Sequence, residues 1–439
     1  MLAITSRDGN AFFLDTDPRG LLDCEPRGSV RVHMKNIVIT GIGIVSPSGI
    51  GRQEFWKNLQ AGKDTAAEVV NFSTDDFSVN HAAEVRNFKA SDYLEAPRLR
   101  HLDRSALMLL AAAKLCLDDA GLKVSPANTD DVGIVTGTTF SHLWPTMEFD
   151  KEVFKETLDF ASPALFPSTV LNATSSHVSI YFNAQGFNTT VCSGYTSFLE
   201  ALRYGMLALA TGKAKHVLVG CVEALSYYLY GGFYRLGYMA GVKGEAISCP
   251  FDKRHNGPVL GEAAAVFLIE KEKTAMERQA KTLAKVLSVE SFFDAHRTGK
   301  IHQHGEGFEK VVRKALNSAD IGLTDVDYIS SCANSTVELD RIEVKVMKKV
   351  FANRLKDIPM SSIKSMKGES ITDSAGLQIA SAIGAMQNGF IAPTINYKDS
   401  DPECDIDCVP NIAREKKVKL ALVNSFGPGA FNSAAVITN

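Results

Sequence analysis

Apolar side chains recur along this chain in two rhythms. Short β-branched and aliphatic runs at 36–40, 132–136, 216–220, 264–270, 283–289, 328–332, 418–424 and 434–438 predict buried strands. Longer stretches with apolar residues three and four apart, at 104–120, 196–211, 307–319, 338–350 and 374–387, predict helices. Strands alternating with helices define α/β layers. In chain order, two successive units each give a strand, a helix, a strand, a helix and a final strand pair. That order predicts an internal duplication, 34–275 and 280–439, with the first copy enlarged by insertions. It rests on element order, because no residue-level repeat accompanies it. Residues 1–33 fall outside both units and predict a poorly structured N-terminal extension, with Met34 an alternative start directly before the first strand.

The segment TGIGIVSPSGIG (40–51) follows a strand and is glycine-rich. After Gly41 and Gly43 it has Val45, Ser46 and Pro47 where a dinucleotide-binding loop needs a third glycine and a helix start. A tight turn is the better reading, and no nucleotide cofactor follows from it.

Of 439 residues, 45% are hydrophobic and 22% charged, with a net charge of −3, which suits a globular chain of domain-pair size. The charge balance leaves no electrostatic footprint for nucleic acid or an anionic membrane. The richest apolar stretches, 106–113 and 217–225, fall short of the roughly 18–20 residues that span a bilayer. Residues 1–33 carry scattered charges (Arg7, Asp8, Asp15, Asp17, Arg19) and lack a signal-peptide core. Eight scattered cysteines without such a signal imply reduced thiols and a cytoplasmic setting. Cys404 and Cys408, in CDIDC, read as a surface loop, since no second pair or nearby histidine completes a metal site. His302 and His304 have only Glu306 beside them and read as a solvated loop. No metal and no cofactor is expected.

The chemistry concentrates at 188–220, which reads as a strand, a sharp glycine-containing turn and a helix apolar nearly all round. The start of such a buried helix presents unsatisfied N–H groups and the positive end of its dipole, which favour a thiolate and an oxyanion. Cys192 is near that point. The alternative is a packing helix with an incidental cysteine.

These features bring a resemblance into view. Residues 34–439 resemble the β-ketoacyl-acyl-carrier-protein synthases. The resemblance is carried by KNIVITGIGIVSPSG (35–49), LDRSALMLLAAAKLCLDDAG (102–121), CPFDKRHNGPVLGEAAAVFLIE (249–270), SCANSTVELDRIE (331–343), SSIKSMKGE (361–369) and NSFGPGAFNSAAVI (424–437). It implies a thiolase-like, duplicated five-layer α-β-α-β-α fold, dimeric, with the active centre where the halves meet. It also implies a mechanism. A cysteine takes the acyl chain from a carrier protein, and two histidines support decarboxylation of the malonyl thioester, whose carbanion attacks the acyl-cysteine.

This chain departs from that pattern at both histidine positions. Where the family has H-G-T-x-T-x-x-x-D, the matching run from Cys332 is anchored by Thr336 and Asp340, so Cys332 holds the first histidine position. The K-S-x-x-G-H motif is KSMKGE, so Glu369 holds the second. Lys364 and Glu262 are retained, whereas the family's Arg-Asp before Gly257 is His255-Asn256. The C-terminal N-S-F-G-F-G-G is NSFGPGA, with Phe426 kept and Pro428 at the aromatic gate position, where rigid proline cannot swing.

Two registers compete for the nucleophile. Thr190-Val191-Cys192-Ser193 imitates the family's T-A-C-S and would make Cys192 catalytic. In the family roughly 17 residues separate the nucleophile from the glycine ending this helix, and counting back from Gly212 lands on Tyr195. Retaining Cys192 would insert three residues into a buried helix and rotate its packed face by about 300°. Tyr195 is the preferred register, with Cys192 the alternative nucleophile.

A carboxylate at 369 would repel the malonyl carboxylate, and a neutral Cys332 thiol is a weak donor. The resemblance is therefore closest to the chain-length factor, the β subunit of a heterodimeric type II polyketide ketosynthase. This implies a ketosynthase α subunit and an acyl carrier protein as partners, with neither nucleic acid nor membrane. The partner-facing strand is expected at 183–190, and the tunnel wall at 140–154, with Trp144, Met147 and Phe149 the candidate length-setting residues. Chain-length factors commonly carry glutamine at the nucleophile position, so Tyr195 is a departure. Two alternatives stay open: an independent acyltransferase using Cys192, and a binding protein on the same scaffold.

Overall fold

Ten strands, eight of them grown from these apolar runs, join in one hydrogen-bonded path. The computed structural model describes residues 3–5, 11–13, 36–155, 157–295 and 299–439. The first half supplies β1 (Ile37–Ser46), β2 (Val132–Gly137), β3 (Asn188–Val191), β4 (His216–Glu223) and β5 (Ala263–Lys271). The second supplies β6 (Ala284–Phe293), β7 (Tyr328–Ser330), β8 (Met360–Ser361), β9 (Leu420–Phe426) and β10 (Phe431–Thr438). In space they run β3-β2-β4-β5-β1-β6-β10-β9-β7-β8. Counted from its own first strand, each half therefore has the order 3-2-4-5-1. The directions repeat as well: the second strand is parallel to the third and fourth, and the fifth is antiparallel to the fourth and first. The repeat that is invisible residue by residue is complete at the level of topology. The halves join where β6 pairs antiparallel with β1, Ala284 opposite Ile39.

The longer helices are α1 (Arg52–Gln60), α2 (Arg104–Ala120), α3 (Leu143–Lys155), α4 (Ala173–Phe182), α5 (Ser197–Ala210), α6 (Tyr227–Arg235), α7 (Glu306–Ala319), α8 (Val337–Phe351) and α9 (Ser374–Asn388). Helices α2 and α4 cover one outer face, and α7 and α8 the other. Helices α5 and α9 touch each other and both half-sheets, so they form the middle of a five-layer α-β-α-β-α arrangement. That position requires α5 to be apolar nearly all round. It starts after a turn that holds Tyr195 and ends at Gly212, whose φ of +72° suits glycine.

Three expectations need correction. Gly41 and Gly43 lie inside β1 rather than in a turn. There they admit the backbone of α2, since a Cβ on Gly41 would come 2.5 Å from the Cys116 carbonyl oxygen. The reversal comes at Pro47 and Ser48, between β1 and the short strand Gly49–Ile50. The edge strand begins at Asn188, not Asn183, because Asn183 is the left-handed cap of α4, with φ +55°. Cys404 and Cys408 are not at the surface: both thiols are buried in the second half's core. The loop reading of His302 and His304 agrees with the structure, their rings 6.0 Å apart before α7.

Met1–His33 forms a separate unit in which Ala3–Thr5 pairs with Ala11–Phe13. The expectation of poor structure for the rest of that segment lies outside the described residues. No described helix is long and apolar enough to cross a membrane.

Candidate functional site

The three altered catalytic positions converge on Lys364, at the inner end of α5. After β3 the chain passes Cys192 and Ser193, reverses at Gly194 (φ +57°) and enters a single 3₁₀ turn carrying Tyr195. The turn is tied down locally: the Ser193 N–H donates to Ser197 Oγ (2.8 Å), which donates to the Gly194 carbonyl (2.8 Å). The Tyr195 ring is buried. It fills the space over Gly427, where a Cβ would come 2.6 Å from Tyr195 Cδ2, and Lys364 Nζ lies 5.9 Å from the ring centroid. Ser425 Oγ donates to the Tyr195 carbonyl (2.8 Å). Burial pushes the phenol well above the usual tyrosine range, with Tyr238 and Glu369 adding to it. Its hydroxyl has no hydrogen-bond partner among the described residues.

Lys364, itself buried, donates to the Cys332 carbonyl and to Glu369 Oε2, both at 2.8 Å. Asn334 Nδ2 also donates to Oε2 (2.9 Å), while Oε1 accepts from the Ile371 N–H (2.8 Å) and Ser374 Oγ (2.6 Å). Burial alone would raise the Glu369 pKa. The charges of Lys364 and Lys367 and these hydrogen bonds outweigh it and hold the carboxyl below its usual range. Glu369 is thus an ionised, fully engaged carboxylate with no donor to offer a thioester. Burial and the Glu343 charge push the Cys332 thiol well above its ordinary value.

Behind this pair lies more buried charge. Lys367 donates to Ser370 Oγ (2.7 Å) and Ser374 Oγ (3.1 Å), and burial lowers it to about 8 against the pull of Asp373 and Glu369. Burial pushes Asp373 well above the usual carboxylate range despite Lys367. Glu223, at the end of β4, accepts from the Thr139 and Phe140 N–H groups and from Thr372 Oγ1, yet burial raises it to about 7.

Cys192 stands apart from this cluster as the one exposed thiol among the seven described, all of them free. Burial of part of the side chain and the Glu223 charge raise its pKa, so the thiol form is favoured. The geometry gathers Tyr195, not Cys192, with Cys332 and Glu369.

The remaining candidates have structural surroundings. Glu262 is wholly buried and accepts from the Val85 and Leu225 N–H groups and from Arg104, 2.5 Å away, clamping β5 to the start of α2. His255, in the family's arginine position, lies between Asp340 (3.1 Å) and Asp401 (3.2 Å), and Asn256 accepts from the Gly241 N–H. Phe426 is not placed to swing: it is buried and stacks on Phe308 with centroids 4.1 Å apart. Pro428 is half-buried just beyond Gly427.

Trp144 borders a cavity of about 830 Å³. Met147 and Phe149 do not; Phe149 packs on Phe166 instead, with centroids 5.5 Å apart. The walls that sequence reasoning missed come from Phe72, Leu102 and Tyr228, on three separate segments, while Phe140 belongs to the expected one. Tyr195, Cys332 and Glu369 do not border it. Among the described residues no cluster of His, Cys, Asp or Glu could hold a metal.

Comparison with known proteins bears on the family and the fold. Residues 34–275 match the model of the β-ketoacyl synthase N-terminal domain, and residues 283–398 that of its C-terminal domain. The chain is 30% identical over 411 residues to the 3-oxoacyl-[acyl-carrier-protein] synthase 2 of Coxiella burnetii, covering 93% of this chain and 99% of that one. It is 32% identical over 416 residues to the tetracenomycin polyketide synthase ketoacyl synthase alpha subunit of Streptomyces glaucescens, covering 92% and 97%. Among solved structures, the ishigamide ketosynthase/chain length factor superposes with a TM-score of 0.86 at 26% identity, over 92% of this chain and 98% of that one. A type II PKS acyl-carrier protein in complex with its ketosynthase bound to the hexaketide gives 0.82, also at 26% identity, over 92% and 98%.

Proposed function

This chain belongs to the β-ketoacyl synthase family and has its thiolase-like fold, and from that premise we propose that it is a non-catalytic chain-length-factor subunit of a heterodimeric type II ketosynthase. One observation carries the reading: the nucleophile pocket is filled by the Tyr195 ring, over a Glu369 carboxylate locked by Lys364, Asn334 and Ser374. A carbanion needs donors where this site holds negative charge.

The chain's work is then to complete a partner. Strand β3 ends the sheet with β2 as its one neighbour, so its outer edge presents unpaired backbone groups to a second strand. Helix α4, packed on β3, exposes Ile180, and α3 with the turn after it exposes Phe154, Leu158 and Phe160. Apolar surface on this scale marks an interface. The partner is a ketosynthase α subunit carrying the Cys-His-His set, which also receives the acyl carrier protein, and Trp144 borders the path of the growing chain. The exposure of Cys192 favours a second reading, an independent acyltransferase that acylates that thiol.

Co-expression with a type II ketosynthase α subunit separates the two. The account expects a stable 1:1 complex whose elongation survives Cys192→Ala. Acylation of Cys192 by carrier protein in the isolated chain would support the acyltransferase instead.

A further inference from the structure

We propose that the groove along the outer face of α8 binds an oligophosphate, a chain of two or more phosphates, free or esterified. The inference stands independently of the subunit reading. Helix α8 reads VELDRIEVKVMKKVF, and beyond its first residues the charges are sorted by sign. Asp340 and Glu343 are buried, where Asp340 accepts from the Phe251 and Asn334 N–H groups and Glu343 from Ser331 Oγ and Asn424 Nδ2. Arg341, Lys345, Lys348 and Lys349 recur three and four positions apart on the outward side. They line a groove of about 580 Å³ that holds one carboxylate, Glu403. Such a volume lies in the range of small-molecule sites. The stripe runs about 12 Å along the helix axis, long enough to meet several phosphates of one chain.

The fold does not call for this array. Helix α4 holds the equivalent place in the first half, between the second and third strands, and contains no Lys, Arg, Asp or Glu. Lys348 and Lys349 lie in the last turn of α8, where the helix dipole favours cations. Arg341 and Lys345 gain nothing from the dipole, and like charges three and four apart on a helix repel.

Counter-charges within the protein are few. Glu403 lies 3.0 Å from Arg341 Nη1, and Glu309 is shared between Arg313 (3.0 Å) and Lys349 (3.6 Å). Among the described residues Lys345 Nζ meets only His304 Nδ1, at 3.4 Å, and Lys348 makes no ion pair or hydrogen bond. Lys348 also borders a neighbouring hollow with Asp405 and Asp407, of which Asp407 is paired with Arg414. Arg341 is held in place from below: its Nε donates to buried Asp401 (2.8 Å), which also lies 3.2 Å from His255 Nε2. That anchor leaves Nη2 without a bond among the described residues. A fixed guanidinium and three lysine point charges suit the repeated negative charge of a phosphate chain.

The test is calorimetric titration of the full-length chain with sodium tripolyphosphate in a phosphate-free buffer. Binding should saturate at one tripolyphosphate per chain, with orthophosphate at least tenfold weaker. The double variant Lys345→Gln/Lys348→Gln should bind about tenfold more weakly, as loss of two exposed ion pairs does. Both side chains are exposed, so its thermal unfolding without ligand should match the wild type. Lys213→Gln/Lys281→Gln removes the same charge from exposed positions outside the groove and should leave the affinity unchanged. ATP and adenosine separate the two sources of phosphate. ATP binding more tightly than tripolyphosphate identifies an esterified chain, ATP binding no more tightly identifies a free one, and adenosine should not bind in either case. Absence of saturable binding, orthophosphate binding as tightly as tripolyphosphate, or an equal loss in both double variants would overturn the proposal.

Discussion

The pocket at the start of α5, built from both halves of the molecule, and the cavity beside Trp144, in the first half, differ in what fills them. In the pocket an aromatic ring takes up the space, and every oxygen of the Glu369 carboxylate is spoken for. In the cavity about 830 Å³ stays open beside an aromatic wall. On the proposed reading, the chain's function lies at this wall and not at the altered catalytic positions.

The contrast predicts a large cost for disturbing the closed side. Glu369→Ala leaves Lys364 buried without its partner and should lower the unfolding free energy by about 3–5 kcal/mol, measured by chemical denaturation. A loss below about 1 kcal/mol would mean that the pocket is not held by this pair.

Next in size is a pH effect, and the two carboxyls act in opposite directions. Glu369 is depressed in the folded state, so its contribution is present above its unfolded pKa and lost as the pH falls through the folded value. Glu223 is raised to about 7, so its contribution is full below the unfolded value of about 4.3 and is lost as pH rises through about 7. At about 1.4 kcal/mol per pH unit, the wild-type chain should lose on the order of 3 kcal/mol over that window relative to Glu223→Gln. Parallel pH profiles for the two proteins would show that the closed side is not built on this buried charge.

On the open side, Trp144→Ala in the assembled complex should lengthen the product, read by mass spectrometry, with little effect on stability because the side chain is 42% exposed. Unchanged length would remove Trp144 from the wall. The smallest effect is expected from Tyr195→Phe. The hydroxyl is buried without a partner, so its removal should change stability by less than about 1 kcal/mol, with a slight gain the expected direction.

Much of this was legible in the sequence where the physics is local. The span of α2 was readable to the residue because Asp103 caps it and Gly121 ends it in the left-handed region. The preference for the tyrosine register rests on counting back along a buried helix, where an insertion would turn the packed face away. Other elements were hidden. Strand β8 has two residues, too few to display a period of two, and α3 carries Pro145 near its start. The glycines of β1 were misread because the reason for them, close approach of α2, comes from a segment some 70 positions further on. Only one wall of the cavity, within 140–154, had a sequence signal, since the other walls come from separated segments.

The central claim is that this chain carries no acyl group of its own. It is tested most directly by incubating the full-length chain, together with its ketosynthase partner, with acyl-loaded carrier protein and recording the intact mass of both subunits. The account predicts an acyl adduct on the partner alone. An adduct on this chain that disappears in Cys192→Ala would contradict it.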